Sequence, residues 1–203
     1  MMAQVVFTVW LRFRARGLEN IPASGGGLIL GNHSSFLDPL LIGMPLTRPV
    51  SFLARDSLFR IPVVGWILRN TYVKPLNREN ASTASIRETV QRAEQGFLCG
   101  LFPEGTRSPS GEVGEFKPGF IALVRRMDRP IYPVGIAGTH LALGRQSLFL
   151  KPYRVRLVFG KPILPEEIAG MKERGREQEL VEYVRSRVIA CQREAEAWRL
   201  ENQ

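Results

Sequence analysis

Residues 25–40, GGGLILGNHSSFLDPL, decide the fold of this chain. Large aliphatic side chains at residues 28–30 directly follow three glycines, which is typical of a turn leading into a short buried strand. Asp38 and Pro39 then predict the start of a helix, with Asp38 as the N-cap and Pro39 in the first helical position. A strand, a short polar loop and a helix follow one another here, as in an α/β fold.

The same alternation continues on both sides of this stretch. We predict a long amphipathic helix near the C-terminus and apolar, β-branched strands separated by shorter helices before it. The predicted strands are 5–14, 28–30, 50–54, 97–102, 131–136 and 155–159, and the predicted helices are 40–46, 80–95, 120–127 and 176–200.

This order of elements predicts a single α/β domain over residues 1–203, with a mostly parallel or mixed central sheet flanked by helices. A motif-bearing core covers about residues 12–160 and a C-terminal helical extension covers about residues 161–203. A chain of 203 residues can bury one sizeable core, and hardly two.

Composition excludes several classes of protein. Hydrophobic residues make up 44% and charged residues 23%, so the chain is neither disordered nor collagen-like. Two cysteines and two histidines argue against a disulfide scaffold and against a zinc site. Cys99 lies in an apolar strand and is expected to be buried and inert, and His140 is expected to lie in a surface loop.

The net charge of +9 is concentrated before residue 161. Residues 161–203 contain 8 basic and 9 acidic residues, whereas the preceding part contains 20 basic and 10 acidic residues. Such a basic body predicts an anionic partner, which by charge alone is a nucleic acid, an anionic lipid or a phosphorylated substrate. No zinc-finger, RRM or helix-turn-helix signature is present, so we expect no nucleic-acid partner.

Membrane contact is expected to be peripheral. The apolar stretch at residues 1–11 is interrupted by Gln4 and Thr8 and stopped by Arg12, which predicts neither a transmembrane helix nor a signal peptide. The apolar segment 58–68, flanked by arginines, allows two interpretations. It is either an interfacial element at a lipid surface or a core helix packed on the sheet.

The first informative loop, residues 32–38, contains a histidine and an acid. His33 precedes Asp38 by five positions, so the carboxylate can hold the imidazole across the turn and leave its other nitrogen free to accept a proton from a hydroxyl. No serine lies in a Gly-x-Ser-x-Gly elbow, so the nucleophile would be a hydroxyl of the substrate. The alternative is that Asp38 only caps its helix and His33 is structural.

The second informative loop, residues 103–119, begins with PEGTRS. A strand followed by Pro, Gly and Thr exposes backbone N–H groups, and the planar guanidinium of Arg107 suits a phosphate. Lys117 precedes a tight turn and a helix N-terminus that could add its dipole to an anion site. Taken alone, this loop is a weak signal, and an ordinary surface turn is the better interpretation.

Taken together, the two loops resemble the glycerolipid acyltransferase family, closest to bacterial 1-acyl-sn-glycerol-3-phosphate (lysophosphatidate) acyltransferases. The resemblance rests on Asn-His-x-x-x-x-Asp, followed about 70 residues later by Phe-Pro-Glu-Gly-Thr-Arg-Ser. Residues 16–22, 77–80 and 132–136 are similar to further blocks of the family.

The resemblance implies a mechanism and a set of site residues. His33, held by Asp38, would deprotonate the free hydroxyl of a lysophosphatidate-like acceptor, which would attack an acyl thioester directly. Arg107, Arg78 and Lys117 would hold the acceptor phosphate. The motif-loop residues are Asn32, Glu104, Gly105 and Thr106, and local backbone N–H groups would stabilise the oxyanion.

The resemblance also implies the partners. The donor would be acyl-CoA or acyl carrier protein, the product phosphatidic acid for phospholipid biosynthesis, and no metal or cofactor is expected. The chain would act peripherally on an anionic membrane, at its cytoplasmic face. Glycerol-3-phosphate or another lysophospholipid remains an alternative acceptor, and a non-catalytic anionic-lipid-binding protein remains an alternative function.

Overall fold

The computed structural model describes residues 7–76, 83–147 and 149–201. They form a fold around a seven-stranded sheet. The strand order is β1-β7-β6-β2-β5-β3-β4, and every neighbouring pair is parallel except β6 and β7. The strands are β1 (Arg14–Arg16), β2 (Gly27–Gly31), β3 (Val50–Arg55), β4 (Lys74–Leu76), β5 (Leu98–Leu101), β6 (Ile131–Ala137) and β7 (Arg156–Phe159).

Helices cover both faces of this mixed sheet, which confirms the predicted fold class. The last helix is 24 residues long and is the predicted C-terminal helix. The α-helices are α1 (Asp38–Gly43), α2 (Pro62–Arg69), α3 (Thr83–Glu94), α4 (Ile121–Arg126), α5 (Thr139–Ala142) and α6 (Glu177–Leu200).

Alternation along the central strand β2 divides the core into two layers. Leu28 and Leu30 pack into one hydrophobic cluster with side chains of α3, α4 and α6. Ile29 points to the opposite face and joins the cluster that contains Leu41 of α1. A strand that is covered on both faces has no polar side, which explains its uninterrupted aliphatic run.

The predicted strand at residues 5–14 is wrong for most of its length. Residues 7–10 are helical, and the N–H of Leu11 donates to the carbonyl of Phe7. The chain leaves this turn at Arg12, which has a φ of 42°, and pairs with β7 only from Arg14 onward. Leu11 and Phe13 are buried, so the alternation did mark the inward side chains.

The predicted N-cap role of Asp38 is also wrong. Leu37 is the N-cap, and Asp38 is the first residue of α1 with no side-chain capping bond. Its carboxylate instead turns back toward the loop that precedes the helix, because two backbone N–H groups of that loop point at it.

The segment 58–68 presents part of its apolar surface to solvent. A 3₁₀ helix at Asp56–Arg60 and the helix α2 form it, and Ile61 and Trp66 are exposed. No helix in the described part of the chain is long and apolar enough to cross a membrane.

Parallel pairing places both informative loops at one edge of the sheet, which we call the carboxyl edge because β2, β5 and β6 end there. The first loop leaves β2 and the second loop leaves β5, so the loops emerge from neighbouring strands. Since β7 is antiparallel to β6, both β7 and its parallel neighbour β1 begin at this edge. Ligands of open α/β sheets bind at such an edge.

Candidate active site

A histidine and a buried carboxylate form the centre of the site. His33 Nδ1 lies 2.9 Å from Asp38 Oδ2. The Asp38 side chain is 0% exposed, whereas the His33 side chain is 19% exposed. The pair therefore has a fixed inner member and an outer member that reaches the surface.

Hydrogen bonds around Asp38 determine which nitrogen of His33 carries the proton. Oδ2 of Asp38 also accepts the backbone N–H groups of Ser34 and Ser35, each at 2.7 Å. An oxygen that accepts two N–H bonds on this side is an acceptor for the ring as well, so Nδ1 of His33 donates. Nε2 then holds a lone pair and makes no hydrogen bond within the described residues, as a general base requires.

An aromatic ring supports the imidazole from behind. Phe102 stacks on His33 with ring centroids 4.2 Å apart and 15° between the planes. Phe52 stacks in turn on Phe102, with centroids 5.7 Å apart. The imidazole is therefore restrained in plane by Asp38 and in tilt by Phe102.

Glu104 joins the two loops. Its Oε1 accepts the backbone N–H of His33 at 2.9 Å, and its Oε2 accepts the backbone N–H of Gly114 at 3.2 Å. The side chain is only 4% exposed, and this burial raises the pKa of Glu104, against the lowering effect of the two N–H donors. The N–H of Ser108 closes the junction by donating to the carbonyl of His33 at 2.7 Å.

Asn32 fixes the start of the first loop. Its side-chain amide donates to the carbonyl of Ile136 at 2.9 Å and accepts the N–H of the same residue at 2.8 Å. The amide therefore pairs with β6 as a strand residue would, one position after β2 ends. A role in holding the backbone follows, rather than contact with a substrate.

Arg107 is brought to the first loop by a cation–π contact. Its Cζ lies 3.6 Å from the centroid of the Phe36 ring, which is 51% exposed. The guanidinium is half-buried and lies over a side chain three residues after His33. A planar cation held next to the base is suited to a phosphate or carboxylate group of a substrate.

Gly105 and Lys117 form the tip of the second loop. Gly105 has a φ of +67°, and a Cβ at this position would lie 3.4 Å from Lys117 Nζ and 3.3 Å from its Cδ. Lys117 and Thr106 are both exposed, so they lie at the entrance rather than in the packed part of the site. Arg78, the third of the predicted phosphate-binding cations, lies outside the described residues.

Sequence reasoning missed one residue that organises the second loop. Arg185 of α6 donates from Nε to the carbonyl of Gly114 at 2.9 Å and from Nη2 to that of Val113 at 3.3 Å. Gly114 is also the residue whose N–H binds Glu104. Because these partners are separated by 71 and 72 positions, no local motif marks the contact.

The second histidine and the two cysteines are not members of the His33–Asp38 pair. His140 is half-buried, its ring packs against Gly111, and burial lowers its pKa. Cys99 and Cys191 are buried, and burial raises the pKa of each thiol to about 11. Neither thiol is poised as a nucleophile. The described residues contain no group of three or more His, Cys, Asp and Glu side chains suited to a metal.

The sequence of this chain also matches a known family. The sequence profile described as Acyltransferase matches residues 12–137, more than half of the chain. The chain belongs to the acyltransferase family.

Several relatives within this family are named for the same activity. The chain is 33% identical over 145 residues to a 1-acyl-sn-glycerol-3-phosphate acyltransferase of Borreliella burgdorferi, covering 69% of this chain and 58% of that protein. It is 26% identical to the Bacillus subtilis enzyme of the same name, covering 84% and 83%. The chloroplastic BAT2 enzyme of Brassica napus is 31% identical over 73% of this chain. The chain spans 44% of that plant protein, about half its length.

A solved structure agrees in fold over nearly the whole chain. The crystal structure of the 1-acyl-sn-glycerophosphate (LPA) acyltransferase PlsC from Thermotoga maritima superposes with a TM-score of 0.75 at 29% identity. The match covers 98% of this chain and 78% of that one.

Proposed function

We propose that this chain transfers a fatty acyl group from an acyl thioester, acyl-CoA or acyl carrier protein, to the free hydroxyl of 1-acyl-sn-glycerol-3-phosphate. The product is phosphatidic acid. The single observation that carries the proposal is the hydrogen bond of His33 Nδ1 to the buried Asp38, which leaves Nε2 as the proton acceptor. The activity for which its relatives are named supports the choice of acceptor.

In this mechanism His33 Nε2 removes the proton of the acceptor hydroxyl as its oxygen attacks the thioester carbonyl. The resulting tetrahedral intermediate collapses, the carbon–sulfur bond breaks, and the thiolate takes up the proton from His33. Asp38 stabilises the imidazolium that exists between these two transfers. Ester bond and thiol are formed in equal amounts, so the reaction balances without a cofactor.

The acyl group passes directly between substrates in this proposal. The nearest hydroxyls in the first loop are already engaged, because Ser34 Oγ lies 2.8 Å from Thr139 Oγ1 and Ser35 Oγ donates to the Leu143 carbonyl at 2.7 Å. Cys99 is buried in the sheet with a raised pKa. The hydroxyls of Ser34 and Ser35 and the thiol of Cys99 are therefore not available to form an acyl-enzyme.

Arg107 and Lys117 position the acceptor by its phosphate. They lie on the second loop, which Glu104 fastens to the backbone of His33, so a phosphate held there brings the hydroxyl near Nε2. Such positioning contributes on the order of 7 kcal/mol to lowering the barrier. Arg78 is assigned to the same phosphate on the family resemblance alone. The lipid acceptor and the basic residues before residue 161 favour peripheral binding of the protein to an anionic membrane, at its cytoplasmic face.

The test measures thiol release from acyl-CoA in the presence of lysophosphatidate. We expect acceptor-dependent release by the wild type and a loss of at least about a thousandfold in His33→Ala, since both proton transfers lose their carrier. His140→Ala removes the second histidine of the chain and is the matched control, expected to keep activity. Equal loss in both variants would contradict the assignment of His33.

Substrate arms of the same assay test the finer assignment. Acyl carrier protein as donor, and glycerol-3-phosphate or lysophosphatidylcholine as acceptor, are compared at equal concentration. Lysophosphatidate is expected to give a higher kcat/KM than lysophosphatidylcholine, because its phosphate monoester offers two charges to Arg107 and Lys117. It is expected to exceed glycerol-3-phosphate, which has the same phosphate group, because only lysophosphatidate carries an acyl chain that adds apolar contact. No release with any donor and acceptor would reject the proposed function and favour a lipid-binding protein without activity.

A further inference from the structure

Two acid-free stretches of the sequence meet on the surface of the fold. Residues 1–18 and 129–165 contain no Asp or Glu. The structure places parts of them side by side, because β1 pairs with β7 and the N–H of Val155 donates to the carbonyl of Leu11 at 3.0 Å. Trp10 Nε1 also donates to the carbonyl of Leu150 at 3.3 Å.

The basic residues of these paired stretches form a surface that we call the arginine edge. It lies along β1, the edge strand of the sheet, and along the segment that leads into β7. Most of its members are exposed, and Arg16 and Arg156 stack on Trp198 of α6 at 3.8 and 4.9 Å. The arginine edge comprises Arg12, Arg14, Arg16, Arg145, Lys151, Arg154 and Arg156.

Like charges accumulate at the arginine edge. Arg156 is buried, and its pKa is lowered by burial and further by the charges of Arg14, Arg154, Arg16 and Arg199. Such crowding opposes folding and creates a strong positive potential. A surface that keeps it is suited to a large polyanion.

Exposed apolar side chains in the same segments indicate which polyanion. Val9, Trp10, Phe149 and Tyr153 are exposed, and Phe149 is 78% exposed. Large apolar side chains interleaved with arginines suit the interface of an anionic bilayer, where the rings enter the acyl boundary and the cations meet the headgroups. A nucleic acid would leave Val9 and Phe149 in water.

The arginine edge is continuous with the active site. Its segments precede β1 and β7, and both strands begin at the carboxyl edge. Within the segment before β7, Lys151 N–H donates to the carbonyl of Ala142, and the carbonyl of Leu143 accepts Ser35 Oγ. The surface is thus tied directly to the loop that carries His33.

We propose that the arginine edge docks this protein on bilayers that contain anionic lipids and turns His33 toward the headgroup layer. The proposal rests on the proposed function, since a lipid acceptor must be reached in a membrane. It assigns the docking to residues 9–16 and 145–156, on the far side of the sheet from the apolar segment 58–68.

The test is co-sedimentation with vesicles of phosphatidylcholine, with and without phosphatidylglycerol. The variant Arg14→Gln/Arg145→Gln/Lys151→Gln removes three exposed charges, and Arg87→Gln/Arg126→Gln/Arg174→Gln removes three exposed charges elsewhere. We expect binding of the wild type to anionic vesicles only, and a drop of about a hundredfold in the partition coefficient for the first variant. The second variant should change it by less than about threefold. Phe149→Ser should weaken the binding that persists at high salt.

Equal losses in both triple variants would overturn the proposal, since net charge alone would then explain binding. Tighter binding to single-stranded DNA than to anionic vesicles would overturn it as well. A short-chain lysophosphatidate dissolved as monomers separates the two proposals. Acyl transfer to this acceptor by a wild type that binds no vesicles would reject the docking surface and keep the proposed function. Vesicle binding without transfer to any acceptor would do the reverse.

Discussion

The two loops at the carboxyl edge differ in how their polar groups are used. In the first loop, Asn32, Ser34, Ser35 and Asp38 are buried, and each is hydrogen-bonded to a protein partner. In the second loop, the exposed residues Gly105, Thr106 and Lys117 face solvent, and Glu104 is the buried anchor. The proposed function would explain this difference, because a base must be held in one orientation, whereas a phosphate site must stay open to its ligand.

The largest expected effect comes from disturbing the first loop. Asp38→Asn places an amide where one oxygen accepts His33 Nδ1–H and two backbone N–H groups. The imidazole then loses its fixed tautomer, and we expect kcat to fall by about three to four orders of magnitude. Steady-state thiol release measures this, with Asp128→Asn at an exposed position as the control. A rise in KM with unchanged kcat would show that Asp38 acts in binding. The two loops would then not differ in function.

An intermediate effect is expected where the loops are joined. Glu104→Gln keeps the size of the side chain but offers one acceptor to two N–H donors, those of His33 and Gly114. We expect kcat to fall by about ten- to a hundredfold with little change in KM. One buried N–H donor is left without an acceptor, which costs about 1–3 kcal/mol and loosens the loop. Glu112→Gln, on the same loop and exposed, is the control.

Stability adds a second readout for the same variant. Burial raises the pKa of Glu104 above its ordinary value, so the folded state binds this proton more tightly than the unfolded state does. Its contribution to stability is therefore present at low pH and lost as the pH rises through the folded-state pKa. We compare the free energy of unfolding in urea at about pH 4 and pH 7. From the lower to the higher pH, the free energy of unfolding of the wild type should fall relative to that of Glu104→Gln. The opposite slope would contradict the raised pKa.

The smallest expected effect is at the open loop. Arg107→Lys keeps the charge but loses the planar fork and the stacking on Phe36. We expect KM for lysophosphatidate to rise about tenfold while kcat changes by less than about threefold. A monoacylglycerol acceptor, which lacks the phosphate, should show no difference between the two proteins. A fall in kcat with unchanged KM would place Arg107 at the reacting atoms instead.

Local spacing indicated a contact between site residues that lie within a few positions of each other, although it left a capping role for Asp38 open. His33 and Asp38 are five positions apart, and the turn between them leaves little choice of geometry. The α/β class was likewise predictable, because buried strands such as β2 have uninterrupted aliphatic runs.

Contacts across the sheet were beyond the reach of sequence patterns. Asn32 binds Ile136, and Arg185 binds Gly114, at separations of 104 and 71 positions. The strand prediction at residues 7–10 was wrong for another reason. β-branched and aromatic residues favoured a strand there. A helical turn buries Leu11 and Phe13 equally well.

The Glu104 bridge has a consequence for synthesis of the chain. Glu104 is translated 71 residues after His33, whose backbone it binds. The elements β3, α2, β4, α3 and β5 are therefore all synthesised after His33 and before Glu104, which braces it. If His33 is the base proposed above, a nascent chain that ends before Glu104 lacks the brace that the proposed reaction needs.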